Sequence, residues 1–259
     1  MSRSTLPEGA VPFKDHFSTL ASVYSEFRPT YPDTLLDFVA GLCTRRDLAW
    51  DCACGSGQAT MALAERFARV IATDASAKQL AAAPQHARVT YRVSPAENSG
   101  IESESVDLVV VAQAVHWFDL ERFYADVARV LRHAGVLALW SYGALQLETD
   151  AVNRIVQEFY HDTVGPYWPP ERRIVEAGYD QLPFPYPDIP APPISLEQRW
   201  TLPRLLGYLR SWSATGRYIE RHGSDPVAAL QAPLGRIWGE PDRERLIVWP
   251  LTLRVGRKP

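Results

Sequence analysis

Between residues 48 and 142 short apolar runs alternate with amphipathic stretches, and few architectures accept that alternation. Each apolar run is long enough for one strand and each amphipathic stretch for one covering helix, which is the pattern of βαβ units on a parallel sheet. Strands are predicted at Leu48–Cys52, Arg69–Asp74, 88–93, Val106–Ala112 and 135–142. The runs 109–111 and 137–140 lack polar alternation, as expected of strands covered on both faces. Helices are predicted over 58–67, 75–83 and 120–132. In the last, Phe123, Val127, Val130 and Leu131 share one face, with Asp119 at its start and Gly135 just past its end.

After Tyr142 the texture changes. The stretch 165–193 is dense in proline and carries Tyr167, Trp168, Phe184 and Tyr186, enough aromatic surface to pack as an ordered cover. Beyond it, 196–202 and 245–255 alternate like strands, with helices predicted at 203–213 and 226–238. The expected fold is therefore a Rossmann-like, doubly wound α/β domain. Its sheet would be seven-stranded and mostly parallel, with helices on both faces and a C-terminal Pro- and aromatic-rich insertion. Residues 46–145 would be the binding core, and 146–259 the substrate-covering insertion with the last strands.

At 259 residues and 46% apolar side chains the chain can bury a core without crosslinks. Its 27 basic against 30 acidic side chains argue against broad capture of nucleic acid or anionic lipid, so a small-molecule partner is expected. Residues 1–14 lack the apolar run of a signal peptide, and 106–115 is interrupted by Asp107 and Gln113 and too short to span a bilayer. The three cysteines, Cys43, Cys52 and Cys54, fit a reducing compartment, and a cytoplasmic location is expected. Cys52 and Cys54 have no second pair to complete a tetrahedral site, so they read as core thiols and no metal is expected. A monomer and a homodimer are both open.

The run Trp50-Asp51-Cys52-Ala53-Cys54-Gly55-Ser56-Gly57-Gln58-Ala59-Thr60 is a strand that ends in an acid and turns through glycines into a helix. Gly55 and Gly57 lack the Cβ atoms that would keep a ligand from the backbone, and the helix start offers unpaired amides. Asp74, at the end of the next strand, is placed to accept the hydroxyls of a ribose. A dinucleotide fingerprint wants a small residue where Thr60 stands. Asp51 would also repel a diphosphate, but it suits an α-ammonium group, and nearby aromatic residues suit a sulfonium. S-adenosylmethionine meets both demands.

These residues resemble the class I S-adenosylmethionine-dependent methyltransferases, and within them the trans-aconitate methyltransferase-like group (methyltransferase type 11). The resemblance runs from Phe17, Tyr24 and Arg28-Pro29-Thr30-Tyr31-Pro32 through the glycine turn and Thr73-Asp74-Ala75-Ser76. It continues through Ala96-Glu97, Val106-Asp107-Leu108, Gln113 to Phe118, Arg129-Val130-Leu131 and Thr215-Gly216-Arg217-Tyr218. It implies that Asp51, Gly55 and Gly57 hold the methionine end, Asp74 the ribose, and Ala75 the adenine face. It also implies that 1–45 is a helical lid on which Tyr24 and Arg28 reach the cofactor. The family's acid before Ala96-Glu97 is Pro95 here, leaving the Ala96 backbone or Glu97 to meet the adenine amine. Ala53 replaces the first glycine of the family turn and is expected still to fall in the strand.

Gln113 and Ala114 follow the fourth strand and would border the methionine moiety. His116 is the candidate general base, although a histidine that shapes the turn is the favoured reading of the same residue. Trp117, Tyr142, Tyr167 and Trp168 are candidate substrate-facing aromatics. Arg173, Arg199 and Arg217, with Arg28, are the arginines considered for gripping an acid. The resemblance favours carboxyl O-methylation of a small organic acid, a nucleophile that needs no base. The alternatives are a non-catalytic S-adenosylmethionine-binding module and a nicotinamide-dependent oxidoreductase.

Overall fold

The computed structural model describes residues 29–259 and contains one mixed sheet with helices on both faces. The parallel part comprises β1 (Leu48–Cys52), β2 (Arg69–Asp74), β3 (Val89–Val93), β4 (Val106–Ala112) and β5 (Leu131–Tyr142), in the spatial order β3-β2-β1-β4-β5. The order in which strands are laid down reverses between β1 and β4, which are parallel, hydrogen-bonded neighbours with Cys52 opposite Val111. In doubly wound sheets that reversal opens a crevice beyond the carboxyl ends of the strands.

The second half of the sheet corrects the expected strand count from seven to eight. β8 (Arg245–Arg257) runs antiparallel to β5 from Val136↔Arg257 to Tyr142↔Leu251. Its first half pairs with the short β6 (Gln146–Leu147) and, antiparallel, with β7 (Ile194–Trp200). A two-residue strand leaves no periodicity to read, so β6 is invisible in sequence. β5 begins four residues before its prediction because its register shifts between Val106 and Leu108, letting Leu131 join the ladder ahead of the turn at Ala134.

The unbroken apolar runs have the anticipated cause. In β4, Val109 and Val111 pack with Trp50 and with Phe123, Val127 and Val130 of α4 (Leu120–Val130). Leu108 and Val110 face the opposite layer, with Leu35, Leu36 and Val39 of α1 (Asp33–Gly41) and Leu63 of α2 (Gln58–Ala64). The described end of the 1–45 segment is thus a helix buried in the core. α3 (Ala77–Ala81) starts two residues later than expected because the Ser76 hydroxyl caps it by accepting from the Gln79 amide at 3.3 Å.

Asp107 ties the base of the sheet together. Its carboxylate accepts from the amides of Asp47 and Leu48 at 2.8 and 3.0 Å and pairs with Arg132 at 2.6 Å, so a buried charge is fully partnered.

A separate apolar cluster lies under the last third of the chain. It joins α5 (Asp150–Glu158), a π-helical turn at Phe159–Thr163, α7 (Leu202–Arg210), α8 (Ser213–His222) and α9 (Gln231–Trp238) to Trp249 of β8. The insertion is ordered, with a 3₁₀ turn at Gly165–Tyr167 and the short α6 (Arg172–Glu176). Arg254 fastens its later part to the sheet by donating to the Leu182 carbonyl at 2.6 Å and pairing with Asp188 at 2.8 Å. Among the described residues no helix is long and apolar enough to cross a membrane.

Candidate functional site

The turn after β1 is built from left-handed backbone. Ala53, Gly55 and Gly57 have φ of +54°, +55° and +85°. Ala53 therefore stands in the turn and not in the strand, which corrects the expectation for it: β1 ends at Cys52, and the next residue already reverses the chain. An L side chain in this region is strained, so Ala53→Gly is expected to raise stability by about 1 kcal/mol. At this chain length that is a rise of about 2–4 °C in thermal midpoint, measured by calorimetry. A Cβ on Gly57 would stand 3.0 Å from the Tyr91 hydroxyl, whereas one on Gly55 would meet nothing within 4 Å. The backbone at Gly55 is therefore open to close approach.

Two carboxylates serve this turn. Asp74, at the end of β2, accepts from the Gly55 amide at 2.9 Å and from the Ser76 amide at 2.8 Å, lashing the β1 turn to the β2 turn. Ala75 lies between these anchors. Asp51 is fully buried; one of its oxygens accepts from the Thr60 hydroxyl at 2.6 Å, and the other has no partner among the described residues. Burial, helped by the Asp74 charge, pushes its carboxyl up to about 7 against the Thr60 bond. A buried carboxylate with an orphan oxygen, beneath an open glycine turn, fits a cationic ligand group and disfavours a phosphate.

Further round the crevice, Ala96 is buried, and the Glu97 carboxylate accepts from the Asp119 amide at 3.0 Å, at the start of α4. Gln113, one residue past β4, is also left-handed, with φ of +60°. Its amide donates to the Trp140 carbonyl at 2.9 Å and its side chain to the Tyr142 carbonyl at 3.0 Å. Strained residues thus stand just past the ends of two adjacent central strands, where the ladder enforces a conformation that local preference opposes. Ala114 is buried beside Gln113. Tyr24 and Arg28 lie outside the described residues.

Gln113 also borders an open-mouthed cleft whose space, the solvent at its mouth included, is about 660 Å³. Its wall brings together four of the residues anticipated from sequence, His116, Trp117, Tyr142 and Trp168, and adds Tyr160 and Arg172. Tyr167 is not on this wall; its hydroxyl meets the His222 imidazole at 2.5 Å and its ring packs on Tyr218, both from α8. Among the arginines considered from sequence, Arg173 and Arg199 are exposed, and Arg217 donates to the Tyr167 carbonyl at 3.3 Å. None of these three lines the cleft.

The His116 Nδ1 is 3.1 Å from the Tyr179 hydroxyl. Burial, reinforced by the Arg172 guanidinium, pulls the imidazole down to about 3, so it is neutral at physiological pH and a feeble base. Burial pushes the Tyr179 phenol upward, and it stays protonated. This pair can donate and accept hydrogen bonds and is a poor general base for an alcohol. Cys52 and Cys54 are buried thiols whose titration burial pushes upward, and the described residues contain no group of three or more His, Cys, Asp or Glu able to hold a metal ion.

Comparison with known proteins places this geometry among relatives. A family described as a methyltransferase domain matches residues 50–139. A Dictyostelium discoideum protein named "Putative methyltransferase" is 35% identical over 252 residues, 95% of this chain and 96% of that protein. A Saccharomyces cerevisiae protein named "Probable S-adenosylmethionine-dependent methyltransferase CRG1" is 35% identical over 129 residues, 46% of this chain and 44% of its own length. A solved structure from Anaeromyxobacter dehalogenans, described as a putative type II methyltransferase, is 44% identical. It superposes with a TM-score of 0.84 over 89% of this chain and 97% of that one.

Proposed function

This chain belongs to the class I S-adenosylmethionine-dependent methyltransferases, and we propose that its acceptor is a small carboxylic acid methylated on oxygen. The observation that carries this reading is the charge pattern of the cleft wall beside Gln113: one guanidinium, from Arg172, and no carboxylate among the residues that line it. An anion entering this largely aromatic space meets the Arg172 guanidinium on a wall that carries no carboxylate of its own; Glu176, 3.7 Å from the Arg172 Nε, lies off that wall. His116 supports the same reading, because so weak a base suits an acceptor that arrives already ionised.

When bound, S-adenosylmethionine supplies a methyl group on a sulfonium, and that sulfur departs as a neutral thioether when the acceptor oxygen takes the methyl. The residues present fit that group. Gly55 would let the backbone approach the methionine end, Gly57 lets the turn pack against Tyr91 and Pro84, Asp51 would face the ligand's positive charge, and Asp74 would accept from the ribose. Gln113, held by Trp140 and Tyr142, stands between this crevice and the acceptor cleft. The protein's contribution is alignment of the reacting atoms, worth up to about 7–11 kcal/mol of a barrier. The aromatic walls also exclude water that would solvate the acceptor oxygen.

The test is transfer of labelled methyl groups to a panel of small carboxylic acids, alcohols and amines. The expected product is a methyl ester that releases labelled methanol in mild base. Label on amines or alcohols with none on any acid would overturn the acceptor assignment.

A further inference from the structure

We propose that Arg172 is the residue that selects the acceptor, holding a carboxylate of the substrate in its guanidinium fork. This rests on the acid-acceptor reading above and names the group that enforces it. Arg172 opens α6 with a side chain only 18% exposed. Its guanidinium lies over the Trp168 ring at 4.9 Å and the Tyr160 ring at 5.5 Å, so two aromatic rings flank it. Its Nε donates to the Tyr160 hydroxyl at 2.7 Å. That hydroxyl in turn donates to the Glu176 carboxylate, which approaches the same Nε at 3.7 Å. Among the described residues every polar contact of the Arg172 side chain is therefore on the Nε side. Its two Nη groups make no hydrogen bond among the described residues, and Arg172 lines the cleft.

Tyr160 and Glu176 are positioning residues. Tyr160 belongs to the π-helical turn Phe159–Thr163, and such turns place side chains where a regular helix does not. The same cleft receives the start of α8 at Trp212 and Ser213, uncapped by any side chain, and Trp212 packs on the Tyr160 and Trp168 rings that flank Arg172. The other titratable groups on the wall are His116 and the phenols of Tyr142, Tyr160 and Tyr208; the Glu176 carboxylate, off this wall, meets Arg172 on its Nε side and leaves the Nη edge of the fork to a ligand. A planar fork pairs with a carboxylate through two parallel bonds, which an ammonium cannot reproduce.

The experiment uses the full chain saturated with S-adenosylhomocysteine, with calorimetric binding of the panel acids and of their primary amides to wild type, Arg172→Met and Arg172→Lys. KM and kcat are measured for each acid that is methylated. Arg172→Met is expected to weaken acid binding by about 10- to 150-fold. KM should rise in step, kcat should change less, and S-adenosylhomocysteine and the amides should bind as before. Arg172→Lys is expected to recover only part of the loss. Acid binding or KM within threefold of wild type in Arg172→Met overturns the proposal, as does an equal loss of acids and amides.

If Arg172→Met no longer binds S-adenosylhomocysteine, wild type alone decides: acids must outbind their amides by at least about tenfold. The acceptor reading fails separately. Acids that bind through Arg172 yet acquire label on another atom leave the anchor standing and remove carboxyl O-methylation.

Discussion

Replacing Asp74 with alanine is expected to weaken S-adenosylhomocysteine binding by about 10²- to 10³-fold, the loss of two charge-assisted hydrogen bonds to ribose. The carboxylate has a second task, because it holds the Gly55 and Ser76 amides that fix the two turns relative to one another. The alanine variant should therefore also unfold at lower denaturant, by about 2 kcal/mol of stability. Asp74→Asn separates the two effects. Its side-chain oxygen can still accept from one amide, so most of the stability should return, while the neutral amide remains the poorer partner for the hydroxyls. Titration calorimetry and urea melts on both variants check this. Alanine-variant affinity within threefold of wild type would remove Asp74 from the cofactor site.

What the sequence disclosed and what it hid divide along one physical line. The central strands β4 and β5 were legible because both faces are covered, so the runs 109–111 and 137–140 had to be apolar without interruption. The glycine turn was legible because left-handed backbone and close approach both demand glycine at positions 55 and 57. Ala53 misled because an alanine gives no local sign of positive φ; the ladder on both sides of β1 imposes it. Arg172 went unnoticed beside its neighbour Arg173 for a similar reason. One faces the cleft and the other solvent, and only the packing of α6 against Tyr160 and Trp168 separates them. Tyr167 and Trp168, also adjacent, part company the same way: Trp168 reaches the cleft and Tyr167 turns to α8. Backbone architecture is written in composition and period, whereas membership of the cleft is decided by which side of a short helix or turn meets the sheet.

Asp51→Asn is expected to move stability and binding in opposite directions, and the pH dependence identifies the cause. In the folded chain the Asp51 carboxyl titrates at about 7, against 3.8 in the unfolded chain. Between those values the unfolded state has lost the proton that the folded state keeps, so ionisation favours unfolding. The contribution of Asp51 to stability is intact below pH 4, falls as pH rises toward 7 and is fully lost above it. Asparagine cannot ionise. Without ligand the variant should match or trail wild type at pH 4.5 and exceed it at pH 8 by on the order of 3 kcal/mol. Binding runs the other way, because a cationic ammonium or sulfonium beside Asp51 favours the ionised carboxyl and should draw its titration down. Wild-type affinity for S-adenosylhomocysteine should therefore climb from pH 5.5 to about 7 with release of a proton, visible as heats that differ between buffers of different ionisation enthalpy. In Asp51→Asn the affinity should drop by about 10- to 100-fold at pH 8 and lose this dependence on pH between 5.5 and 7. A variant that binds as tightly as wild type, with the same proton release, would assign the proton to another group and take the cation away from Asp51.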